Sequence, residues 1–115
     1  MTNFKNTDYI NLCKNYFKIF SKKNIDELKK LFSKNIKLKD WENSASGLNE
    51  VLEVNKKIFK GVDTIEVKPV NIYSDNNTVI SEIEILIDKS SKINVVDIIS
   101  FDEEGKILSI TAYKG

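Results

Sequence analysis

The chain has 115 residues, a formal net charge of +1 and 41% hydrophobic residues, which is the composition of one ordinary globular domain. It contains no histidine, and this excludes histidine-dependent nucleophile pairs and most zinc sites. All 18 basic residues are lysines with acids interspersed among them, so neither a guanidinium fork nor a strong basic patch is available for nucleic acid.

The sequence shows no membrane-spanning or targeting segment. No apolar run approaches the roughly 18 residues that read as a membrane helix. The first residues lack the basic segment and apolar block of a signal peptide. The single cysteine, Cys13, cannot form an internal disulfide. We therefore expect a cytoplasmic protein with neither a membrane nor a nucleic acid as partner.

Two helices are predicted in the first third of the chain. The first spans about 3–21, where apolar residues recur at the i, i+3, i+4, i+7 spacing of one helix face. The members of this stripe are Tyr9, Leu12, Cys13, Tyr16, Phe17 and Phe20. Asn24 is a favourable N-cap for a short second helix, and Glu27 stands in the capping-box position. The apolar residues of this second helix are Ile25, Leu28, Leu31 and Phe32.

A short strand and a third helix follow. In the strand, Ile36 and Leu38 alternate with lysines, and Asp40 falls on the same apolar face. Gly47 then interrupts the pattern, and a new helical stripe runs to about Lys60. The members of this stripe are Leu48, Val51, Leu52, Asn55, Ile58 and Phe59. One polar residue, the asparagine, therefore interrupts an otherwise apolar helix face.

From residue 64 onward the hydrophobic period falls to two, which indicates strands at about 64–74, 78–89, 92–102 and 106–113. Pro69 has no N–H, so it predicts an edge strand or a bulge. Helices followed by an antiparallel meander predict one α+β domain, with three N-terminal helices on one face of a curved, mainly antiparallel sheet. A curved sheet closed by helices forms a cone whose interior can hold a ligand.

The acid Asp97 stands on the more apolar face of the third long strand. On strand parity it shares that face with Ile93, Val95, Ile99 and Phe101. The strand places no lysine on that face to pair with the acid, and an unpaired buried carboxylate is costly. We therefore expect Asp97 to line a pocket rather than to face solvent.

Three segments resemble the nuclear transport factor 2-like superfamily, which includes bacterial ketosteroid isomerases and SnoaL-like polyketide cyclases. Residues 16–32, YFKIFSKKNIDELKKLF, resemble its aromatic-rich first helix, polar break and second helix. Residues 36–52, IKLKDWENSASGLNEVL, resemble its strand, acid, loop, glycine and third helix. Residues 95–113, VVDIISFDEEGKILSITAY, resemble its last hairpin with the F-D-x-x-G-K-I turn. The resemblance implies a cone-shaped single domain over residues 1–115.

The match to ketosteroid isomerases implies three catalytic residues. Tyr16 stands at the place of their first-helix tyrosine, and Asp40 matches the aspartate that serves as catalytic base. Asp97 stands where those enzymes carry a second donor to the substrate oxygen. The implied chemistry is abstraction of a proton next to a carbonyl group, with two donors holding the enolate oxygen. It requires no cofactor and no metal.

The same match implies a ligand-binding wall around these three residues. Its expected members are Phe20, Phe32, Trp41, Asn55 and Phe59. Phe32 and Asn55 stand where steroid isomerases often carry further tyrosines, Trp41 replaces a common proline, and Lys114 replaces an aromatic residue. The expected ligand is therefore a small hydrophobic carbonyl compound, and a steroid is not implied.

Several alternatives stay open at this level. Tyr16 taken alone is also typical of a core aromatic residue, and Asp40 of an acid that caps a loop. The chain is an isomerase, a polyketide-type cyclase, or a non-catalytic small-ligand or protein-binding module, since one fold supports many functions. Val96 and Ile98 lie on the outer face of their strand, so we also expect a homodimer through the sheet.

Overall fold

The computed structural model describes residues 4–115 and contains three helices. These are α1 (Asn6–Ser21), α2 (Ile25–Leu31) and α3 (Leu48–Lys60). The predicted first residue of α1, Asn3, lies outside the described residues. None of the helices in the described part of the chain is long and apolar enough to cross a membrane.

Six strands form one sheet. They are β1 (Phe32–Lys39), β2 (Ser44–Ser46), β3 (Ile65–Asp75), β4 (Thr78–Ile87), β5 (Ser91–Phe101) and β6 (Ile107–Lys114). Their order in the sheet is β2-β1-β6-β5-β4-β3. All neighbours pair antiparallel except β1 and β6, which are parallel. The predicted α+β class, with three helices and a curved, mainly antiparallel sheet, is confirmed.

Two of the helices, α1 and α3, cover opposite edges of the sheet. α1 packs on β3 and β4, whereas α3 packs on β1 and β2. The residues that share the inner face of β5 with Asp97 alternate with less buried residues, as strand parity predicts. Bulges in β3 at Pro69 and between β5 and β6 bend the sheet, and β3 is an edge strand, so both expectations for that proline hold. The concave centre between the two helices therefore remains as an interior space.

The segment between α2 and α3 differs from its prediction. Phe32, predicted at the end of the second helix, has extended backbone and pairs with Ile107 as the first residue of β1. The strand ends at Lys39, because Asp40 turns the chain. The short strand β2 was not predicted, since three residues around a single alanine carry no periodic signal.

The N-terminus of α2 follows its prediction in part. The Asn24 side chain accepts a hydrogen bond of 3.1 Å from the backbone N–H of Glu27, so the predicted N-cap forms. The reciprocal bond of a capping box does not form: the Asn24 N–H donates to the carbonyl of Ile19 at 3.5 Å, and the Glu27 carboxylate pairs with Lys30 at 3.1 Å. This exposed ion pair one helical turn away competes for the same carboxylate.

Replacing Gly47 with alanine is expected to lower the stability of the fold by roughly 1–3 kcal/mol. Gly47 caps α3 with φ 90° and ψ 155°, a conformation that is nearly restricted to glycine. An added Cβ would meet no atom within 4 Å, so the effect isolates backbone strain. The measurement is the free energy of unfolding in urea.

The matched control is Gly61→Ala at the other end of the same helix. Gly61 has φ −81° and ψ −4°, where an alanine is unstrained and stabilises by about 0.4–1 kcal/mol through the unfolded chain. If the two alanine variants unfold at the same urea concentration, Gly47 is not held in a glycine-specific conformation.

Candidate functional site

A cavity of about 320 Å³ occupies the space between the helices and the concave face of the sheet. Its wall is mainly aliphatic and aromatic, with contributions from Phe17, Phe20, Leu38, Ile58, Ile65, Val67, Ile83, Ile85, Ile87, Ile93, Val95, Ile110 and Ala112. Polar side chains also line it: Tyr16 from α1, Asp40 from the turn after β1, Asn55 from α3 and Asp97 from β5, together with Glu42, Asn43 and Lys114. A mostly apolar pocket with a few convergent polar groups is the usual form of a small-molecule site.

Asp97 lies on the inner face of β5 and is only 7% exposed. Its cross-strand neighbours are Ser81 on β4 and Ala112 on β6, whose small side chains leave room for the carboxyl group. Ser81 does not bond to it, because the serine hydroxyl donates to the carbonyl of Asn71 at 3.3 Å. Burial, and secondarily the charge of Asp40, raises the pKa of Asp97 from 3.8 to about 7. A pKa of about 7 means that this carboxyl group keeps its proton through the acidic range and ionises near neutral pH.

Tyr16 projects from α1 and is 6% exposed. Its ring packs among three phenylalanines, with centroids 5.6 Å from Phe17, 5.9 Å from Phe20 and 6.1 Å from Phe32. These contacts hold the ring in place, and Tyr16 is one of the residues that line the cavity. Burial, followed by the charge of Asp97, raises the pKa of Tyr16 well above its ordinary value. The hydroxyl therefore stays protonated and can donate a hydrogen bond.

Asp40 follows β1 directly and holds the turn that leads to β2. Its Oδ1 accepts from the backbone N–H of Glu42 at 2.8 Å, the backbone N–H of Asn43 at 2.6 Å and the Asn43 amide at 3.2 Å. Its Oδ2 accepts only from the Asn43 amide, at 3.2 Å. The acid thus caps a loop and lines the cavity at once, so the two readings of this residue are compatible. Oδ2 retains the capacity to accept a proton.

Asn55 lies on the inner face of α3 and is 4% exposed. Its amide nitrogen is buried and has no hydrogen-bond partner among the described residues. Asn55 lines the cavity, and its amide nitrogen donates to no loop carbonyl among the described residues.

The remaining predicted wall residues divide into two groups. Phe20 lines the cavity, and so does Trp41, which is 43% exposed at its mouth. Phe32 and Phe59, which were also expected to contact the ligand, do not line it. Phe32 packs behind Tyr16, and the Phe59 ring packs edge-on against Phe20 at 4.9 Å. Both rings support wall residues, since the backbone at their positions directs them into the core.

Lys114 is the one lysine in the cavity wall, and it lies at the mouth. Its Nζ is 5.9 Å from the centre of the Trp41 ring, which brings the end of β6 against the turn after β1. An attraction of this kind is worth about 0.5–1 kcal/mol at an exposed position. Within residues 4–115, the cavity included, no group of three or more His, Cys, Asp or Glu side chains is placed to hold a metal ion.

The electrostatics of the cavity separate the roles of its two acids. Burial disfavours the charged form of a carboxyl group, and the nearby charge of Asp40 adds to this effect, so the more buried acid retains its proton to a higher pH. That acid is Asp97. Asp40 lies at the cavity rim, where its Oδ1 accepts hydrogen bonds from two backbone N–H groups. The arrangement therefore combines a proton acceptor, Asp40, with a permanent donor, Tyr16, and a pH-dependent donor, Asp97. The small side chains of Ser81 and Ala112 leave space around Asp97. The sequence alone does not reveal this, because the strand register is needed to identify them as its neighbours.

Comparison with known proteins matches this chain to one family. The model of the SnoaL-like domain matches residues 13–110. No curated protein matches the chain. A nuclear transport factor 2-like protein of unknown function from Cytophaga hutchinsonii ATCC 33406 has a TM-score of 0.78 at 15% identity, over 99% of this chain and 93% of that one.

Two further solved structures have names that refer to an activity. A provisionally described ketosteroid isomerase from Kribbella flavida DSM 17836 has a TM-score of 0.83 at 12% identity, over 96% of this chain and 79% of that one. A provisionally described SnoaL-like polyketide cyclase from Shewanella denitrificans OS-217 has a TM-score of 0.83 at 11% identity, over 93% and 90%. At such low identities the likeness shows the fold alone.

Proposed function

The chain belongs to the SnoaL-like domain family, and on that premise we propose that it is a small cofactor-independent enzyme. It removes a proton next to the carbonyl group of a small hydrophobic compound held in the cavity. The observation that carries this proposal is that Tyr16, Asp40 and Asp97 line one largely apolar cavity, in which burial keeps a proton on Asp97 up to a pH of about 7. These are the base and the two donors that enolate chemistry needs.

The proposed reaction assigns one role to each of Tyr16, Asp40 and Asp97. Asp40 takes the proton from the carbon next to the carbonyl, and the electrons of that C–H bond form a carbon–carbon double bond. The carbonyl electrons move onto oxygen, and the resulting enolate oxygen accepts hydrogen bonds from Tyr16 and from protonated Asp97. Asp40 then returns the proton to the same carbon or to one further along a conjugated system. Return to a different carbon is an isomerisation.

A cyclase of the polyketide type is a second candidate, because an enolate held in the same way can attack a second carbonyl carbon of its own chain. One of the structural neighbours described above carries that name. A third candidate is a non-catalytic binding module. The loop-capping bonds of Asp40 favour it, because they give that acid a structural reason to be present.

Solvent deuterium uptake tests the proposed function. Small enones and aryl ketones are incubated with the protein in deuterated buffer, and the loss of the α-proton is followed by NMR. We expect exchange above the buffer rate for at least one compound, and a sharp loss of that exchange in Tyr16→Phe. Compounds that bind to the cavity without any exchange would favour the binding module instead.

A homodimer through the outer face of the sheet is a further proposal. Tyr73, Ile80 and Ile98 lie side by side across β3, β4 and β5, and Val96 pairs with Tyr113 beside them. Two of these side chains, Tyr73 and Tyr113, are 63% and 60% exposed. A contiguous exposed apolar patch is typical of an association surface.

Light scattering checks this proposal. We expect a mass of twice 13.2 kDa at micromolar concentrations, and a shift toward the monomer in Ile80→Lys, which places a charge in the centre of the patch. The control is Leu108→Lys, which changes an exposed apolar residue of similar accessibility. A mass of 13.2 kDa for the parent over the whole concentration range would contradict the dimer.

We also propose that the protein is located in the cytoplasm, and the state of its single cysteine supports this proposal. Cys13 is fully buried, and burial, followed by the charge of Asp97, raises its pKa to about 12. A thiol in that state is a small core residue and needs no oxidising compartment.

A further inference from the structure

Asn55 is a buried polar residue of the cavity wall that the proposed reaction does not use. Asn55 stands in the apolar stripe of α3, is 4% exposed and lines the same cavity as Tyr16 and Asp97. Its amide nitrogen is buried without a hydrogen-bond partner in the described residues. An asparagine amide offers two N–H donors and two acceptor sites, so this one has unused hydrogen-bonding capacity.

Packing does not explain the amide. Its immediate neighbours on the inner face of α3 are apolar, since Val51, Leu52 and Phe59 are all buried. A leucine at position 55 would continue that face, whereas a buried amide without a partner destabilises the fold. The amide therefore has hydrogen-bonding capacity that no described residue uses, and a molecule inside the cavity can supply the partner.

The partner is not the oxygen that Tyr16 and Asp97 hold. A carbonyl oxygen has two lone pairs, and these two donors already occupy both. Asn55 also enters from α3, which covers the β1–β2 edge of the sheet, whereas Tyr16 enters from α1 over the β3–β4 edge. The amide therefore faces a different part of any ligand from the part that the two donors hold.

We propose that Asn55 selects carbonyl compounds that carry a second oxygen, such as hydroxy ketones or dicarbonyl compounds. This inference rests on the proposed function and names the substrate class of the same site. The size of the cavity adds a limit. Its volume of about 320 Å³ corresponds to roughly ten water molecules, so the ligand is a compact molecule of one or two rings.

Binding of matched ketone pairs tests the proposal without requiring turnover. Butyrophenone and propiophenone are each compared with their β-hydroxy derivatives, and dissociation constants are measured by calorimetry. In the parent protein we expect the hydroxy ketone to bind roughly five- to tenfold more tightly, as one additional hydrogen bond allows. In Asn55→Leu the ratio within each pair should fall to about one. Asn55→Ala, which also lacks the amide, provides a second variant should leucine not fit.

The control is Asn49→Leu, which removes an exposed asparagine from the same helix and should leave the ratio unchanged. The melting temperatures of the ligand-free proteins provide a second test, because loss of an amide with a structural role would lower them. We expect Asn55→Leu to melt at or above the parent temperature. A clear fall in that temperature for both Asn55 variants would mean that the amide is structural and would overturn the inference.

The remaining outcomes separate this inference from the proposed function. If the parent binds both members of each pair equally, the second-oxygen inference is wrong and a carbonyl ligand remains supported. If the parent binds neither member of any pair, the carbonyl ligand itself is contradicted, and the inference falls with it.

Discussion

Replacing Asp40 with asparagine is expected to lower enzyme-dependent deuterium uptake by about 10²- to 10⁴-fold, the range that a general base contributes. An amide oxygen has the shape of the carboxylate oxygen but does not accept the α-proton. The turn should persist, because the asparagine oxygen can still accept from the backbone N–H groups of Glu42 and Asn43. Thermal melting should therefore change little while exchange nearly vanishes.

Two further variants define the interpretation of that result. Asp40→Ala removes the turn bonds as well as the base, so it should lose exchange and also melt at a lower temperature. Glu103→Gln neutralises an exposed acid of the β5–β6 turn and should change neither property. If Asp40→Asn retains most of the parental exchange rate, a different group is the base and Asp40 serves the loop alone.

Asp97→Asn is expected to raise the melting temperature at pH 8. It should also remove the part of the fall in melting temperature between pH 5 and pH 8 that is caused by this acid in the parent. A rise of the pKa from 3.8 to about 7 corresponds to about 4 kcal/mol, because each pKa unit is worth about 1.4 kcal/mol. Roughly half of that amount falls between pH 5 and pH 7. For a domain of this size, the parental melting temperature should fall on the order of 10 °C over that range.

The sign of the effect follows from where the proton is held. Below pH 3.8 both the folded and the unfolded chain bind the Asp97 proton, and the stability linked to this group is fully present. As the pH rises toward about 7, the unfolded chain releases the proton while the folded chain keeps it, and that stability is progressively lost. Above about 7 the loss is complete, so the acid is most unfavourable there.

Melts at pH 5 and pH 8 check this prediction, with Glu103→Gln as the control because that acid is exposed in the β5–β6 turn. Asp97→Asn retains one N–H donor and should keep part of the exchange activity, whereas Asp97→Ala should lose most of it. An asparagine variant that melts below the parent at pH 8 would mean that Asp97 is an ionised, hydrogen-bonded structural acid. The function would then revert to the binding module.

The strands and the position of Asp97 could be predicted because their signal is local. Alternation along β5 is sufficient to place Asp97 on the inner face, and no knowledge of neighbouring strands is needed. The helix stripe of α3 likewise predicts that Asn55 points inward. Both residues break an apolar pattern, and a break in a pattern is visible in a single sequence.

Other features depend on contacts between distant parts of the chain. The parallel pairing of β1 with β6 joins residues near 37 and 110, and nothing in either segment specifies it. The positions of Phe32 and Phe59 behind the cavity wall depend on how the helices pack on the sheet, and helical spacing alone does not tell a first layer from a second. The two simultaneous roles of Asp40 also became visible only with the turn geometry.

A carboxyl-carbon NMR titration of Asp97 tests most directly the claim that the cavity keeps a proton-donating acid beside a second carboxylate. The account predicts a titration midpoint of about 7 in the parent, and a lower midpoint in Asp40→Asn, because that variant removes the neighbouring charge. A midpoint near the ordinary value of 3.8, unaffected by the change at Asp40, would contradict it.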